Sequence, residues 1–173
     1  WEAPEVYLKI PIQFHIVRET NGTGGLDPLE LQGIINQLNS FYVNANMQFY
    51  ECSGVQYIDD SGNYNFSYSS SAKSSWCTAN DVSGVMNIYF FNNITTSSGS
   101  LCGVATFPAS MGGSANGIIM KNSCALNAST MTHEVGHYFS LLHTHETYVG
   151  DELVTRGSGA NCSTAGDELC ATA

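Results

Sequence analysis

Basic residues are scarce in this chain of 173 residues, which has five Lys and Arg against fifteen Asp and Glu. Nucleic acids and anionic membranes are bound through clustered Lys and Arg, so a formal net charge of −10 argues against both as partners. No apolar run approaches the roughly 20 residues of a membrane-spanning helix. No linker or internal repeat divides the chain, and its length fits a single domain, residues 1–173.

The six cysteines include no Cys-x-x-Cys pair, which favours disulfides over a thiolate metal site. Disulfides in turn predict a secreted, extracellular protein. Of the fifteen possible connectivities we favour nearest neighbours, because each pair closes a loop between predicted elements: Cys52 with Cys77, Cys102 with Cys124, and Cys162 with Cys170. The alternative is a cytosolic chain with buried free thiols.

The N-terminal half predicts a strand followed by a helix. Residues 6–17 alternate apolar and other side chains, which predicts a strand with one buried face, and His15 falls on the opposite face with no ligand role. Asp27-Pro28 is typical of a helix start, and the apolar spacing after it predicts a long amphipathic helix whose aromatic residues belong to the core.

Further strands are predicted at residues 47–51, 85–91, 103–107 and 117–121. The Ser-, Gly- and Asn-rich span 60–75 is predicted to be a surface loop, because it has too few apolar residues to pack. A last helix is predicted to open at Ser129 or Thr130.

That last helix carries the most informative motif, His133-Glu134-x-x-His137, with His143 six residues further on. Residues four apart share a helix face, so His133 and His137 can bind one metal ion. A catalytic zinc needs three protein ligands and an open position, and His143 supplies the third if the chain doubles back. Glu134, about 100° round the helix, is then the general base. Chance occurrence on a surface helix is the alternative, and the third histidine makes it a poor one.

The motif resembles that of the metzincin zinc endopeptidases, and within them the pappalysin and cytophagalysin type. The strings that carry this narrower resemblance are His-Glu-Val-Gly-His-Tyr, Leu-Leu-His-Thr-His, the Asn-Cys-Ser-Thr-Ala-Gly-Asp run at 161–167 and Cys-Gly-Val-Ala-Thr-Phe-Pro at 102–108. The resemblance implies an α+β fold with a twisted mixed sheet of about five strands and two long helices, the second carrying the zinc motif.

The sequence departs from the family pattern at three places. Ser140 replaces a Gly that would ease a sharp turn at the helix end. Ala171 stands after Cys170, where relatives tend to carry an acidic residue. No Met follows Met131, so the methionine turn of metzincins is missing. We interpret the chain as a truncated or self-cleaved product, with an N-terminal subdomain at 1–143 and the start of a truncated C-terminal subdomain at 144–173.

The resemblance also implies a substrate-binding edge. In metzincins a short antiparallel strand lines the cleft, so an extended peptide would pair with the segment containing Leu101, Gly103, Ala105 and Phe107. Four acidic residues after the zinc motif could hold Ca²⁺, or could be solvated loop residues: Asp151, Glu152, Asp167 and Glu168. His145 and Glu146 lie beyond the third ligand, and we interpret His145 as exposed or supporting.

The sequence therefore predicts a secreted, monomeric zinc endopeptidase that cleaves protein or peptide substrates with a zinc-bound water activated by Glu134. Two alternatives stay open. One is a metalloprotease of another clan with Asp151 or Glu152 as its third ligand. The other is an inactive relative or a zinc-stabilised binding module.

Overall fold

A computed structural model describes residues 7–107, 117–153 and 157–170. Ala171 lies outside these residues. The elements with regular structure in the described residues are nine strands and three α-helices: β1 (Leu8–Arg18), α1 (Leu31–Tyr42), β2 (Met47–Glu51), β3 (Gln56–Asp59), β4 (Asn65–Ser67), α2 (Ser70–Asn80), β5 (Met86–Phe91), β6 (Asn93–Thr96), β7 (Gly99–Ser100), β8 (Gly103–Val104), β9 (Ile118–Lys121) and α3 (Ala128–Tyr138). None of these helices is long and apolar enough to cross a membrane.

The main sheet is mixed, with the order β2-β1-β5-β9-β8, and β3 pairs with β1 beyond the end of β2. All its neighbours are parallel except β8, which runs antiparallel to β9 at the edge. The α+β prediction with a mixed sheet is confirmed, and so is the antiparallel edge strand. A second sheet of β4, β6 and β7 packs nearby.

Strand β1 runs through the middle of the sheet, and its buried stretch 12–17 has side chains inside on both faces. On one face Phe14 packs in a core with Leu38 of α1 and Val135 of α3. On the other face Val17 belongs to a core with Trp76 of α2 and Ile94 of the small sheet. The prediction of one buried face was therefore wrong, because the sheet is the middle layer of three.

The start of α1 matches its prediction with a small shift. Asp27 accepts a hydrogen bond from the Leu29 N–H at 3.0 Å, and Pro28 opens a short 3₁₀ turn, Pro28–Glu30, that leads into the helix. The end of α1 is bonded to α3, because the Tyr42 hydroxyl donates to the Thr132 carbonyl at 2.8 Å.

The surface loop predicted at 60–75 is wrong. The span contains β4 and the first half of α2, which Ser69 caps by accepting from the Ala72 N–H at 3.1 Å. Phe66 and Trp76 are buried and pack edge to face with centroids 6.0 Å apart. These few large side chains fill the second core, so the serines between them do not prevent packing.

Two of the three predicted disulfides are present, Cys102–Cys124 and Cys162–Cys170. Cys52 and Cys77 are not bonded, so that pairing was wrong. Cys52 follows β2 at one edge of the sheet, whereas Cys77 lies against Gly117, just before β9. Three strand spacings, about 14 Å, separate those positions, and a disulfide spans less than about 7 Å between Cα atoms.

Candidate metal centre

Helix α3 presents His133 and His137 one turn apart, and their Nε2 atoms lie 2.8 Å from each other. The Nε2 atom of His143 lies 3.0 Å from that of His137 and 3.1 Å from that of His133. Three imidazole nitrogens therefore point at one place. Of the described residues, only these three form a cluster that could hold a metal ion.

The turn that returns His143 to the helix is built around Ser140, which has a left-handed φ of 74°. The Ser140 N–H bonds to the His137 carbonyl at 2.9 Å, and the Leu141 N–H bonds to the Gly136 carbonyl at 3.0 Å. This pair of bonds is a Schellman motif, whose left-handed residue is usually Gly. The sequence predicted that this turn would favour glycine. Ser140 adopts the left-handed conformation nevertheless, at a cost in backbone strain.

The same turn orients the central ligand. The Nδ1 atom of His137 lies 2.7 Å from the Leu141 carbonyl oxygen, which can only accept. Nδ1 is therefore the protonated nitrogen, and Nε2 keeps a free lone pair for a metal. Burial lowers the pKa of His133 and of His143, and the neighbouring imidazoles lower both pKa values further. Neutral imidazoles are the form that binds zinc, so the donor set fits that ion.

Glu134 lies beside the triad and is buried, with 7% of its surface exposed. Its carboxylate accepts a hydrogen bond from the backbone N–H of Ala105 on the edge segment. Burial raises the pKa of Glu134, while His137, the Ala105 N–H and Lys73 oppose that rise. The edge strand approaches Glu134 so closely that a Cβ on Gly103 would lie only 2.8 Å from the Glu134 Cγ.

The predicted substrate segment lies along this edge. The Lys121 N–H bonds to the Cys102 carbonyl, so Cys102 and Val104 face β9, and the backbone groups of Leu101, Gly103 and Ala105 face outwards. The Leu101 N–H is taken by the Ile94 carbonyl of the small sheet at 2.9 Å. At the other end, the Phe107 ring packs on His137, with centroids 4.9 Å apart, so the segment runs past the metal centre.

The possible calcium site, one of the two interpretations of the acidic residues, has no support in the structure. Asp167 is buried and accepts from the Leu169 N–H at 3.0 Å, whereas Asp151 and Glu168 are exposed. Glu152 packs against Gly166. The four carboxylates do not form a cluster with converging oxygens in the described residues, because the loop directs them to different neighbours.

Two further histidines lie outside the triad. His145 is exposed beside the centre and stacks on His143 with ring centroids 5.0 Å apart. His15 is fully buried, stacks on Tyr89 and lies with Nε2 2.9 Å from the Asn87 Oδ1.

Sequence reasoning missed the Leu141 carbonyl and the buried Lys73 near the edge segment. A backbone carbonyl has no sequence signal. Lys73 had one, because Ala72, Trp76 and Ala79 recur at helical spacing around it.

This fold and the three-histidine cluster agree with the metzincin-type resemblance seen in the sequence. The model of the peptidase family described as pregnancy-associated plasma protein-A matches residues 65–173, more than half of the chain. The chain belongs to that family. This confirms the pappalysin-type resemblance seen in the sequence.

Two solved structures are similar to the chain. One is described as a chaperone-substrate complex, with 20% identity and a TM-score of 0.54 over 95% of this chain and 32% of that one. The other is metalloproteinase-II from Bacteroides fragilis, with 16% identity and a TM-score of 0.49 over 90% of this chain and 46% of that one. The chain thus spans less than half the length of either. A search of curated proteins found no match.

Proposed function

We propose that this chain is the catalytic domain of a zinc endopeptidase, with His133, His137 and His143 as the zinc ligands and Glu134 as the general base. The observation that carries the proposal is the convergence of three Nε2 atoms within 2.8–3.1 Å of one another beside a buried carboxylate. A bound zinc ion supplies a Lewis acid that polarises a substrate carbonyl and lowers the pKa of a coordinated water.

Glu134 handles the protons in this reaction. Its carboxylate takes a proton from the attacking water and delivers it to the nitrogen of the departing amine, so that the peptide C–N bond breaks as a neutral amine leaves. The Ala105 N–H holds the carboxylate in place from the edge segment. Burial of Glu134 favours the protonated form that the second step needs.

The edge segment supports binding of an extended peptide. Gly103 directs its backbone N–H and carbonyl away from β9, which is the arrangement that strand addition uses. The segment reaches the metal centre through the contacts of Ala105 with Glu134 and of Phe107 with His137. A peptide paired there has its scissile bond beside the triad.

Two disulfides are compatible with an extracellular protein, and we propose that location. We also propose that the protein is a monomer. As the sequence predicts, we propose that residue 143 ends an N-terminal subdomain and that residues 144–173 begin a C-terminal one.

Glu134→Ala tests the assignment of the base. It should keep zinc and lose cleavage of an unfolded protein by about a hundred- to ten-thousand-fold, because only the proton carrier is removed. Glu146→Ala is the matched control, since Glu146 lies three residues after His143, outside the converging cluster, and is only half-buried. Zinc content and initial rates are measured on both. A zinc-loaded wild type that cleaves nothing in a broad peptide library would favour the inactive relative instead.

A further inference from the structure

A cavity of about 300 Å³ lies on the α2 side of the edge segment. We call it the Lys73 cavity. The described residues of its lining include one cation and several hydroxyl groups but no carboxylate, although the chain carries a net charge of −10. The residues that matter here are Lys73, Tyr68, Ser70, Ser74, Thr106 and Phe107.

Lys73 is almost entirely buried, with 4% of its surface exposed. Its ammonium group donates to the Thr106 hydroxyl and, at 2.5 Å, to the Gly117 carbonyl. Both acceptors are neutral. In the described part of the chain, Arg18 and Asp59 form the only ion pair within 4 Å, so Lys73 has no carboxylate partner there.

A buried ammonium without a carboxylate in contact is costly, because neutral acceptors compensate only part of the lost hydration. Burial lowers the pKa of Lys73, and Cys77, Asp81 and Glu134 oppose that change from beyond ion-pair distance. An ammonium group has three N–H donors, and the two hydrogen bonds use two of them. Among the described residues no further acceptor takes the third donor, which leaves it for an anion that enters the cavity.

The cavity lies next to the proposed reaction centre. Thr106 follows Ala105, whose N–H bonds to Glu134, and precedes Phe107, whose ring packs on His137. A peptide paired with this segment would direct alternate side chains towards either face of the sheet. One side chain close to the scissile bond would therefore reach the cavity.

We propose that the Lys73 cavity is a substrate subsite that selects an acidic side chain, Glu or Asp, near the scissile bond. The proposal rests on the proposed endopeptidase function. A carboxylate there forms a charge-assisted hydrogen bond with Lys73 and is flanked by hydroxyl donors such as Ser74.

The first test is a peptide library in which each position near the scissile bond is Glu, Gln or Lys. For wild type, kcat/KM should favour Glu over Gln by about tenfold at one position, because the two side chains are nearly isosteric and differ in charge. In Lys73→Met, which keeps the apolar stem, that ratio should fall to about one. Equal Glu-to-Gln ratios in wild type and in the variant would overturn the subsite.

A second variant tests the cavity without removing the buried Lys73, whose loss could prevent folding. Ser74 is exposed and lines the cavity, so Ser74→Asp puts a carboxylate inside it and should reverse the preference towards Lys. Ser75→Asp is the matched control, because Ser75 is exposed on the same helix and does not line the cavity. Ser75→Asp should keep the wild-type preference, and identical behaviour of the two variants would count against the cavity.

A binding measurement separates this proposal from the proposed function. If wild type cleaves no peptide, the endopeptidase function fails, and fluorescence anisotropy of labelled Glu and Gln peptides then tests the cavity alone. Tighter binding of the Glu peptide to wild type than to Ser74→Asp would support the subsite. Equal affinities of both peptides for wild type would overturn it.

Discussion

The Nδ1 atom of His137 donates to the carbonyl oxygen of Leu141 at 2.7 Å, and this bond joins α3 to the turn that follows it. Leu141 is itself held by the bond from its N–H to Gly136. The bond fixes which nitrogen of His137 is free to bind a metal. The helix end, the turn at Ser140 and the central ligand therefore behave as one unit.

Relief of the strain at Ser140 should stabilise this unit. Ser140→Gly allows the left-handed φ of 74° without a Cβ clash, and should raise the free energy of unfolding by about 0.5–1 kcal/mol. Asn46→Gly is the matched control, because Asn46 has a φ of 52° at a turn outside the metal centre. Urea denaturation should show a similar gain for both, and only Ser140→Gly should tighten zinc binding. A loss of stability in Ser140→Gly would contradict the Schellman assignment.

His143 should be the third ligand, and His145 should not bind zinc. His143→Ala should weaken zinc binding by more than about a hundredfold, which exceeds the tenfold to hundredfold typical of supporting residues. His145→Ala is the control, because His145 stacks on His143 and is not in the converging cluster. Competition with a fluorescent chelator measures the zinc affinity of both variants. If His145→Ala released zinc and His143→Ala retained it, the ligand set would be wrong.

In the zinc-free protein, His133 and His143 should each have a pKa below the ordinary value of 6.5. Burial and the neighbouring imidazoles both disfavour the charged form of these two rings. The unfolded chain then binds more protons than the folded one, so these two residues lower stability as the pH falls through 6.5. An NMR titration of the ring protons measures each value. A pKa above 6.5 for either ring would contradict this prediction, because that residue would then raise the stability as the pH falls.

Gly103 should be required for the position of Glu134. In Gly103→Ala the added Cβ would lie 2.6 Å from the Met120 Sδ and 2.8 Å from the Glu134 Cγ, so the carboxylate must move. Cleavage should fall about a hundredfold while zinc stays bound, since small displacements of a catalytic group are costly. Gly136→Ala is the control, because its Cβ meets nothing closer than 3.6 Å. Helix propensity predicts that it stabilises the protein by about 0.5–1 kcal/mol.

Thiol titration should find two free cysteines in the native protein. Cys52 is exposed and should react at once, whereas Cys77 is buried, and burial raises the pKa of its thiol. Cys77 should react only after denaturation, because the thiolate is the reactive form. The other four should react only after reduction. A count of zero or six free thiols under denaturing, non-reducing conditions would contradict the structure.

The sequence by itself predicted the candidate metal centre, whose three histidines the structure brings together, and part of the framework that carries it. Helical periodicity places His133 and His137 on one face, the offset of His143 predicts the return of the chain, and Glu134 follows from its place between the ligands. The first strand and the first helix were likewise predicted, because apolar spacing within a short window encodes them. The antiparallel edge segment was predicted from the family resemblance. The division at residue 143 and the monomeric state stay predictions.

Only the tertiary structure decided the features that depend on residues distant in the sequence. It made β1 a strand buried on both faces, turned the serine-rich span into β4 and α2, and kept Cys52 and Cys77 apart. It also bonded Lys73 to Thr106 and Gly117, 33 and 44 residues away. Such contacts leave no periodic pattern in the chain, because packing of whole layers against one another sets which distant residues meet.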